Sequence, residues 1–346
     1  MGDAGYVGID LHRRRSVIVQ MDAAGEVLST TRILNDKELL ARELERAGPD
    51  TKVVMEATYG WYWAADVVKA TGAELHLAHP LGIKGFNYRR VKNDVRDATD
   101  LADLLRMHRL PEAWVATPEF RELRELVRHR FKLVSARSGL KNGIHAVLGK
   151  QGVELGIGDI FCIEGRRRLE KRPLDPAFRL RVDAQLRLVD AFDEEVDAFD
   201  EEVDTVDAEL RRRLKDHQGF HAIQAIPGVG PVIGATMVAE IGDVSRFSSP
   251  RHLCSWAGLT PRLRESDTTS KSGRITKQGS RVLRWACIEA ACRTHPNHLR
   301  RWGDQITERK GNRLIARTAV ARKILTLAFY GLRDGEIRCL AKAEAS

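Results

Sequence analysis

Three β-branched runs open the chain with only short turns between them: YVGIDLH (Tyr6 to His12), SVIVQMD (Ser16 to Asp22) and EVLSTTRIL (Glu26 to Leu34). Arg13-Arg14-Arg15 and Ala24-Gly25 are too short to carry a crossover helix, so the runs read as an antiparallel meander. The pattern then changes. Asn35 or Asp36 can cap a helix to about Ala47, KVVMEA (Lys52 to Ala57) is a buried strand, and WYWAADVVKA is helical. ELHLA (Glu74 to Ala78) is a further strand, and a last helix starts near Asp94.

A βββαβαβα order, in which a meander feeds a parallel extension, is that of a ribonuclease H-like α/β fold; a doubly wound nucleotide-binding fold opens with βαβ. In such a sheet the first and fourth strands are neighbours. Asp10 sits among Val7, Ile9 and Leu11, a costly place for an unpartnered ion, and Glu56 ends the run Val53-Val54-Met55. Both carboxylates then emerge at one sheet edge, where the helix bearing Asp94 and Asp97 begins. Close carboxylates repel unless a cation neutralises them, and hard oxygen donors select Mg²⁺ or Mn²⁺. A metal in such a site promotes phosphodiester cleavage. Acids in a first turn also favour the helix dipole, and Asp94 could be a simple N-cap. Asp100 and Asp103 read as solvent-facing, and Trp61 and Trp63 as core.

Beyond this region, Pro118 to Gly149 reads as one long basic helix, followed by a poorly patterned Arg-rich segment to about Leu180. Heptads appear next. Val182, Val189, Val196, Val203 and Leu210 recur every seven residues, with Phe192, Phe199 and Val206 on the same seam. That stripe demands a partner helix, and the expectation favours pairing between subunits of an oligomer over packing within the chain. Expected domains are residues 1–112, a basic-helix and coiled-coil region at 113–216, and a mostly helical C-terminal domain at 217–346.

Charge bounds the partners. Lys plus Arg outnumber Asp plus Glu by 57 to 48, a net charge of +9, and nucleic acid is the leading polyanionic candidate. The excess is concentrated: Arg262 to Lys323 holds sixteen basic against five acidic residues. The basic helix from Arg124 to Lys141 is a second candidate surface. Five scattered cysteines without a CxxC pair suggest neither a zinc site nor a disulfide framework, which fits a reducing cytoplasm. Neither a signal segment nor a membrane-spanning run is evident.

The C-terminal block carries two signals. IPGVGPVIGATMVAEIG has the hPGVG pattern of a helix–hairpin–helix turn, in which Gly228 and Gly230 let backbone N–H groups approach a phosphate; a plain turn between packed helices is the alternative. RESDTTSKSGRITKQGSR reads as a polar loop with four serines, and a serine held near metal or Arg can attack phosphorus. Arg264, Arg274, Lys277, Arg281 and Arg284 are candidates for neutralising phosphates.

GIDLH, VVMEATYGWYW, KNDVRDATDLADLL and, far downstream, the run from IQAIPGVG to GSRVLRWACIEAA together resemble the DEDD transposases of insertion-sequence family 110. The resemblance spans both ends of the chain. It implies a RuvC-like domain whose four metal-binding acids are Asp10, Glu56, Asp94 and Asp97, and a C-terminal domain with a nucleophilic serine. The family pattern puts that serine between GLTP and GRITKQG, where Ser266-Asp267 stands; Asp267 replaces a glycine common in the family, and Ser270 and Ser272 remain alternatives. The resemblance further implies DNA donor and target substrates, a structured bridge RNA as guide, a bacterial cytoplasmic setting, and a homo-oligomer of two to four subunits in which one subunit's acids work with another's serine. Competing expectations are a metal-dependent Holliday-junction nuclease using water as nucleophile, and a non-catalytic nucleic-acid-binding protein.

Overall fold

A computed structural model describes residues 5–48, 50–86, 93–213, 218–293 and 297–340. The chain forms two compact units, Met1–Ala116 and Thr117–Ser346, so the expected middle region and C-terminal domain fall within the second.

The first unit is built on a five-stranded sheet. β1 (Tyr6–Leu11), β2 (Arg15–Met21) and β3 (Val27–Leu34) form the meander; α1 (Lys37–Ala47) follows, capped by the Asp36 carboxylate, which accepts from the Glu38 and Leu39 N–H groups. β4 (Lys52–Glu56), α2 (Trp61–Ala70), β5 (Glu74–Ala78), α3 (Pro80–Ile83) and α4 (Asp94–Arg106) complete it. Strand order is β3-β2-β1-β4-β5, with β4 and β5 parallel to β1. The first and fourth strands are neighbours, as the sequence requires.

Alternation along β1 divides its side chains between two layers. Val7, Ile9 and Leu11 join Val53, Met55 and residues of α1 and α2, including Leu40, Leu44, Val67 and Val68. The opposite face carries α4, whose Ala98 packs on Val17 and Val19 and whose Leu101 and Leu105 pack on Val54 and Ala78. Contact is closest at Gly8. A Cβ there would lie 1.9 Å from the Ala98 carbonyl oxygen, so only glycine lets α4 rest on β1. Gly8→Ala should therefore displace α4 and destabilise the first unit by about 1–3 kcal/mol or more. Urea denaturation of the full chain checks this; an unchanged midpoint would show that α4 can shift without cost.

The second unit opens with a long helical hairpin. α5 (Pro118–Lys150) and α7 (Pro176–Arg213) run antiparallel, with Arg137 paired to Asp193 and Gly143 set against Gln185. α6 (Ile163–Lys171) tucks against their joined ends through Leu169, in a core with Ile144, Val147, Leu148 and Val182. The first two positions of the heptad stripe find a partner within the chain. Val182 and Val189 are fully buried within the chain, where α5 packs along α7. An apolar stripe needs only a facing apolar helix, and at Val182 and Val189 α5 supplies it. The side chains of Val196, Phe199, Val203, Val206 and Leu210 lie outside the described residues.

The rest is helical except for one hairpin. α8 (Gln218–Gln224), α9 (Pro231–Ile241) and α10 (Pro250–Trp256) precede β6 (Pro261–Ser266) and β7 (Thr269–Ile275); α11 (Arg281–Cys292), α12 (His298–Lys310) and α13 (Arg313–Asp334) close the chain. Met237, Ile241, Leu283, Cys287, Ile324 and Phe329 belong to a shared core. All five cysteines are free thiols, and among the described residues no helix is long and apolar enough to cross a membrane.

The start of α5 is anchored into this core, which corrects its reading as a nucleic-acid surface. Arg124, buried, donates to the carbonyls of Ala239 and Glu240 at 2.8 and 3.1 Å, and Arg128 grips the Glu240 carboxylate at 2.7 and 3.1 Å. Glu240 is 1% exposed, and a charge that deep is tolerated only when paired. Arg128→Ala should cost about 3–5 kcal/mol, because it strands that carboxylate. A change below about 1 kcal/mol, within the range of an exposed pair, would show that Glu240 does not depend on Arg128.

Candidate active site

Gly8 and Asp10 share one face of β1, so the close approach of α4 at Gly8 brings the helix start over Asp10. Ile9 pairs with Met55, which puts Asp10 level with Glu56 on the adjacent strand. Asp10, His12, Arg13, Glu56, Thr58, Tyr59 and Asp97 line one open cleft of about 680 Å³. Asp94 stands at the same rim: its carboxylate lies 3.4 Å from His12 Nε2 and accepts from Arg15 Nη2 at 3.2 Å. The N-cap of α4 is Asn93, whose side chain accepts from the Val95 N–H. Asp94 is therefore not the cap, and its charge is turned to other groups.

His12, absent from the expected site, is part of it. Its Nε2 lies 3.1 Å from Asp10 Oδ2, and one donor atom each of Asp10, His12 and Asp94 lies within 4.8 Å of the others. That contact lacks hydrogen-bond direction, and the buried Oδ2 has no hydrogen-bond partner. Glu56 and Asp97 line the cleft without joining this tightest group. The missed signal is the spacing Asp10-Leu11-His12: a two-residue step in extended chain returns to the same face.

Burial pushes the Asp10 carboxyl above its ordinary range; His12 pulls it down, and the charges of Asp97 and Asp94 push it up again. A group raised this way makes the ionised folded state the costlier one, and a bound cation would relieve that cost. A buried carboxylate oxygen set 3.1 Å from the His12 ring and amid further carboxylates fits a divalent ion. Asp10, Asp94, Asp97 and Glu56 would hold it.

In the second unit, the expected polar loop is a β-hairpin. Arg264 pairs with Lys271 and Ser266 with Thr269 across a two-residue turn, Asp267-Thr268. Asp267 takes a positive φ of 47°, which Asp tolerates better than most residues, and that closes the turn where a loop was expected. Ser266 is exposed beside this tip, as are Arg264 and Arg274 on the strands; Lys277 and Arg281 are exposed after them. The side chains of Ser270 and Ser272 lie outside the described residues.

Arg284 has a different place from the one expected. Its Nη1 donates to the carbonyls of Ala257, Gln278 and Gly279 at 3.0, 2.7 and 3.1 Å, pinning the base of the hairpin to the end of α10. Burial lowers its pKa, with Arg281 adding in the same direction. Gly279 fits there because a Cβ would lie 1.8 Å from the Trp256 carbonyl oxygen. Gly228 likewise serves packing: at φ 86° it abuts the Ala290 carbonyl, which a Cβ would meet at 2.3 Å. That close approach is to α11 and not to a phosphate. Gly230, the N-cap of α9, does face open space, in a cleft that Arg293 also lines. Arg284→Met should loosen the hairpin base, so trypsin should cut between Arg262 and Arg274 several-fold faster than in wild type, since local opening governs cleavage. Unchanged cleavage would remove the clamp role.

Comparison with known proteins accounts for both halves. A transposase model of the DEDD type of insertion sequence 110 matches residues 7–151, and a model described as Transposase IS116/IS110/IS902 family matches residues 220–305. The transposase for insertion sequence element IS1111A of Coxiella burnetii is 26% identical over 84% of this chain and 78% of its own. The transposase for insertion sequence element IS1328 of Yersinia enterocolitica is 22% identical over 97% and 99%, and a protein of insertion element IS116 of Streptomyces clavuligerus is 25% identical over 96% and 95%. With both models of one family matching in order along the chain, the chain belongs to the DEDD transposases of the IS110/IS116 family, enzymes that cut and rejoin DNA.

Proposed function

We propose that this transposase works with a RuvC-like, divalent-metal centre at Asp10, Glu56, Asp94 and Asp97 and with Ser266 as nucleophile. The observation that carries the reading is Asp10 Oδ2, buried and without a hydrogen-bond partner in a cleft lined by Glu56 and Asp97. The strand order β3-β2-β1-β4-β5, with its antiparallel meander, supports the RuvC-like assignment. Mg²⁺ or Mn²⁺ at the acids supplies positive charge where phosphate oxygens gain negative charge. Ser266 Oγ loses its proton and bonds to phosphorus while the bond to the departing strand's oxygen breaks; that oxygen takes up a proton. A strand hydroxyl then reverses the exchange and rejoins DNA. Exposed Arg264, Arg274, Lys277 and Arg281 lie near the serine hairpin, where they offset phosphate charge. A structured bridge RNA as guide and a homo-oligomer complete the proposal, on the family resemblance.

Three measurements test it. Mg²⁺ or Mn²⁺ at 100 times its Kd should raise the stability of wild type by about 2.7 kcal/mol and that of Asp10→Asn by far less; an equal rise in both removes Asp10 from the centre. With guide RNA, DNA and metal, wild type should form a denaturant-resistant protein–DNA adduct that Ser266→Ala does not. An adduct persisting in Ser266→Ala moves the nucleophile to Ser270 or Ser272, and cleavage without any adduct favours water. Mixing Ser266→Ala with Asp10→Asn chains should restore recombination if different subunits supply acids and serine.

A further inference from the structure

The four-carboxylate centre leaves His12 without a role, yet among the described residues its imidazole forms with Asp10 and Asp94 a group whose donor atoms all lie within 4.8 Å of one another. Its Nε2 is 3.1 Å from Asp10 Oδ2 and 3.4 Å from Asp94 Oδ1. Those lengths are informative. In a six-coordinate site with metal–ligand distances of about 2.1 Å, adjacent donors lie about 3.0 Å apart and opposite donors about 4.2 Å apart. The His12 distances of 3.1 and 3.4 Å are closer to those of adjacent donors than of opposite ones, and the 4.8 Å bound on the whole trio is compatible with either relation between the two carboxylates.

Neighbouring groups hold the three donors in place. Arg15 Nη2 takes Asp94 Oδ2 at 3.2 Å, which leaves Oδ1, the oxygen nearer His12, to face inward. Asp10 Oδ2 is buried and has no hydrogen-bond partner. The His12 N–H donates to the Arg15 carbonyl at 3.1 Å, closing the turn between β1 and β2 and fixing the backbone that presents the ring. The residue that orients Asp94 and the residue that anchors His12 are thus the same.

We propose that His12 is a nitrogen ligand of the ion held by Asp10 and Asp94, and that it makes this centre favour Mn²⁺ or Co²⁺ over Mg²⁺. The inference rests on the metal-centre reading above. Its chemistry is the difference between donors: carboxylate oxygens suit Mg²⁺ and Mn²⁺ alike, whereas imidazole nitrogen suits the transition ions and gains little from Mg²⁺, which prefers oxygen.

The test uses the full chain and metal alone. Electron spin echo spectra of bound Mn²⁺ should show coupling to ¹⁴N that becomes a ¹⁵N pattern when the protein is grown on ¹⁵N-histidine, and the coupling should vanish in His12→Ala. Calorimetry should show Mn²⁺ affinity falling about 10- to 100-fold in His12→Ala while Mg²⁺ affinity changes by less than about threefold. Bound Mn²⁺ without nitrogen coupling in wild type overturns the inference, and that spectrum needs no variant to fold. Equal loss of both ions also overturns it. A wild type that binds neither ion sinks the metal centre and this inference together; ions bound through Asp10, and lost in Asp10→Asn, with no nitrogen signal sink this inference alone.

Discussion

The backbone contact between Gly8 and Ala98 is the constraint on which the first unit's chemistry depends. A helix normally rests on a sheet through side chains, and the thickness of those side chains would hold the start of α4 away from β1. Here the Ala98 carbonyl occupies the place of the missing Gly8 side chain. With the layers this close, Asp94 comes within reach of His12 and Arg15 at the end of the same strand pair. Packing at one glycine thereby sets the distance between Asp94 and His12, each four residues from the contact.

The second unit relies on the same device at different places. Gly228 meets the carbonyl of Ala290, and Gly279 that of Trp256, so turns and helix ends are seated by backbone on backbone. Arg284 completes the arrangement by collecting the carbonyls of Ala257, Gln278 and Gly279. A hairpin whose first strand is exposed along its whole length has little core of its own, and its direction is set by this base. Arginines in a basic segment thus divide into two kinds: Arg124, Arg128 and Arg284 hold the fold, while Arg264 and Arg274 point their charge at solvent.

Much of the architecture could be read along the chain because it depends on local periodicity. Strands of period two, a capped helix at Asp36 and a parallel extension follow from residue order, and the neighbourhood of Asp10 and Glu56 follows from that topology. Motif blocks at both ends pointed to the family for a related reason: each is a short segment whose residues act together. The pairing of the heptad stripe was less accessible. An apolar seam states that a partner exists, but both α5 and a second subunit satisfy it, and periodicity carries no information about which is nearer.

Residue types and spacings by themselves determined the meander, the placing of Asp10 beside Glu56 and the basic C-terminal segment, while the family resemblance singled out Ser266 as the candidate serine. Tertiary structure alone decided that His12 joins Asp10 and Asp94, that Asn93 caps α4 in place of Asp94, that Gly228 seats a helix and that Arg284 clamps a hairpin. The Asn93 cap is local, a bond from the Val95 N–H two residues on, and the other three share one physical reason. Each depends on a distance of a few ångströms between groups, most of them far apart in sequence, and such distances come from how layers pack, which no local pattern encodes.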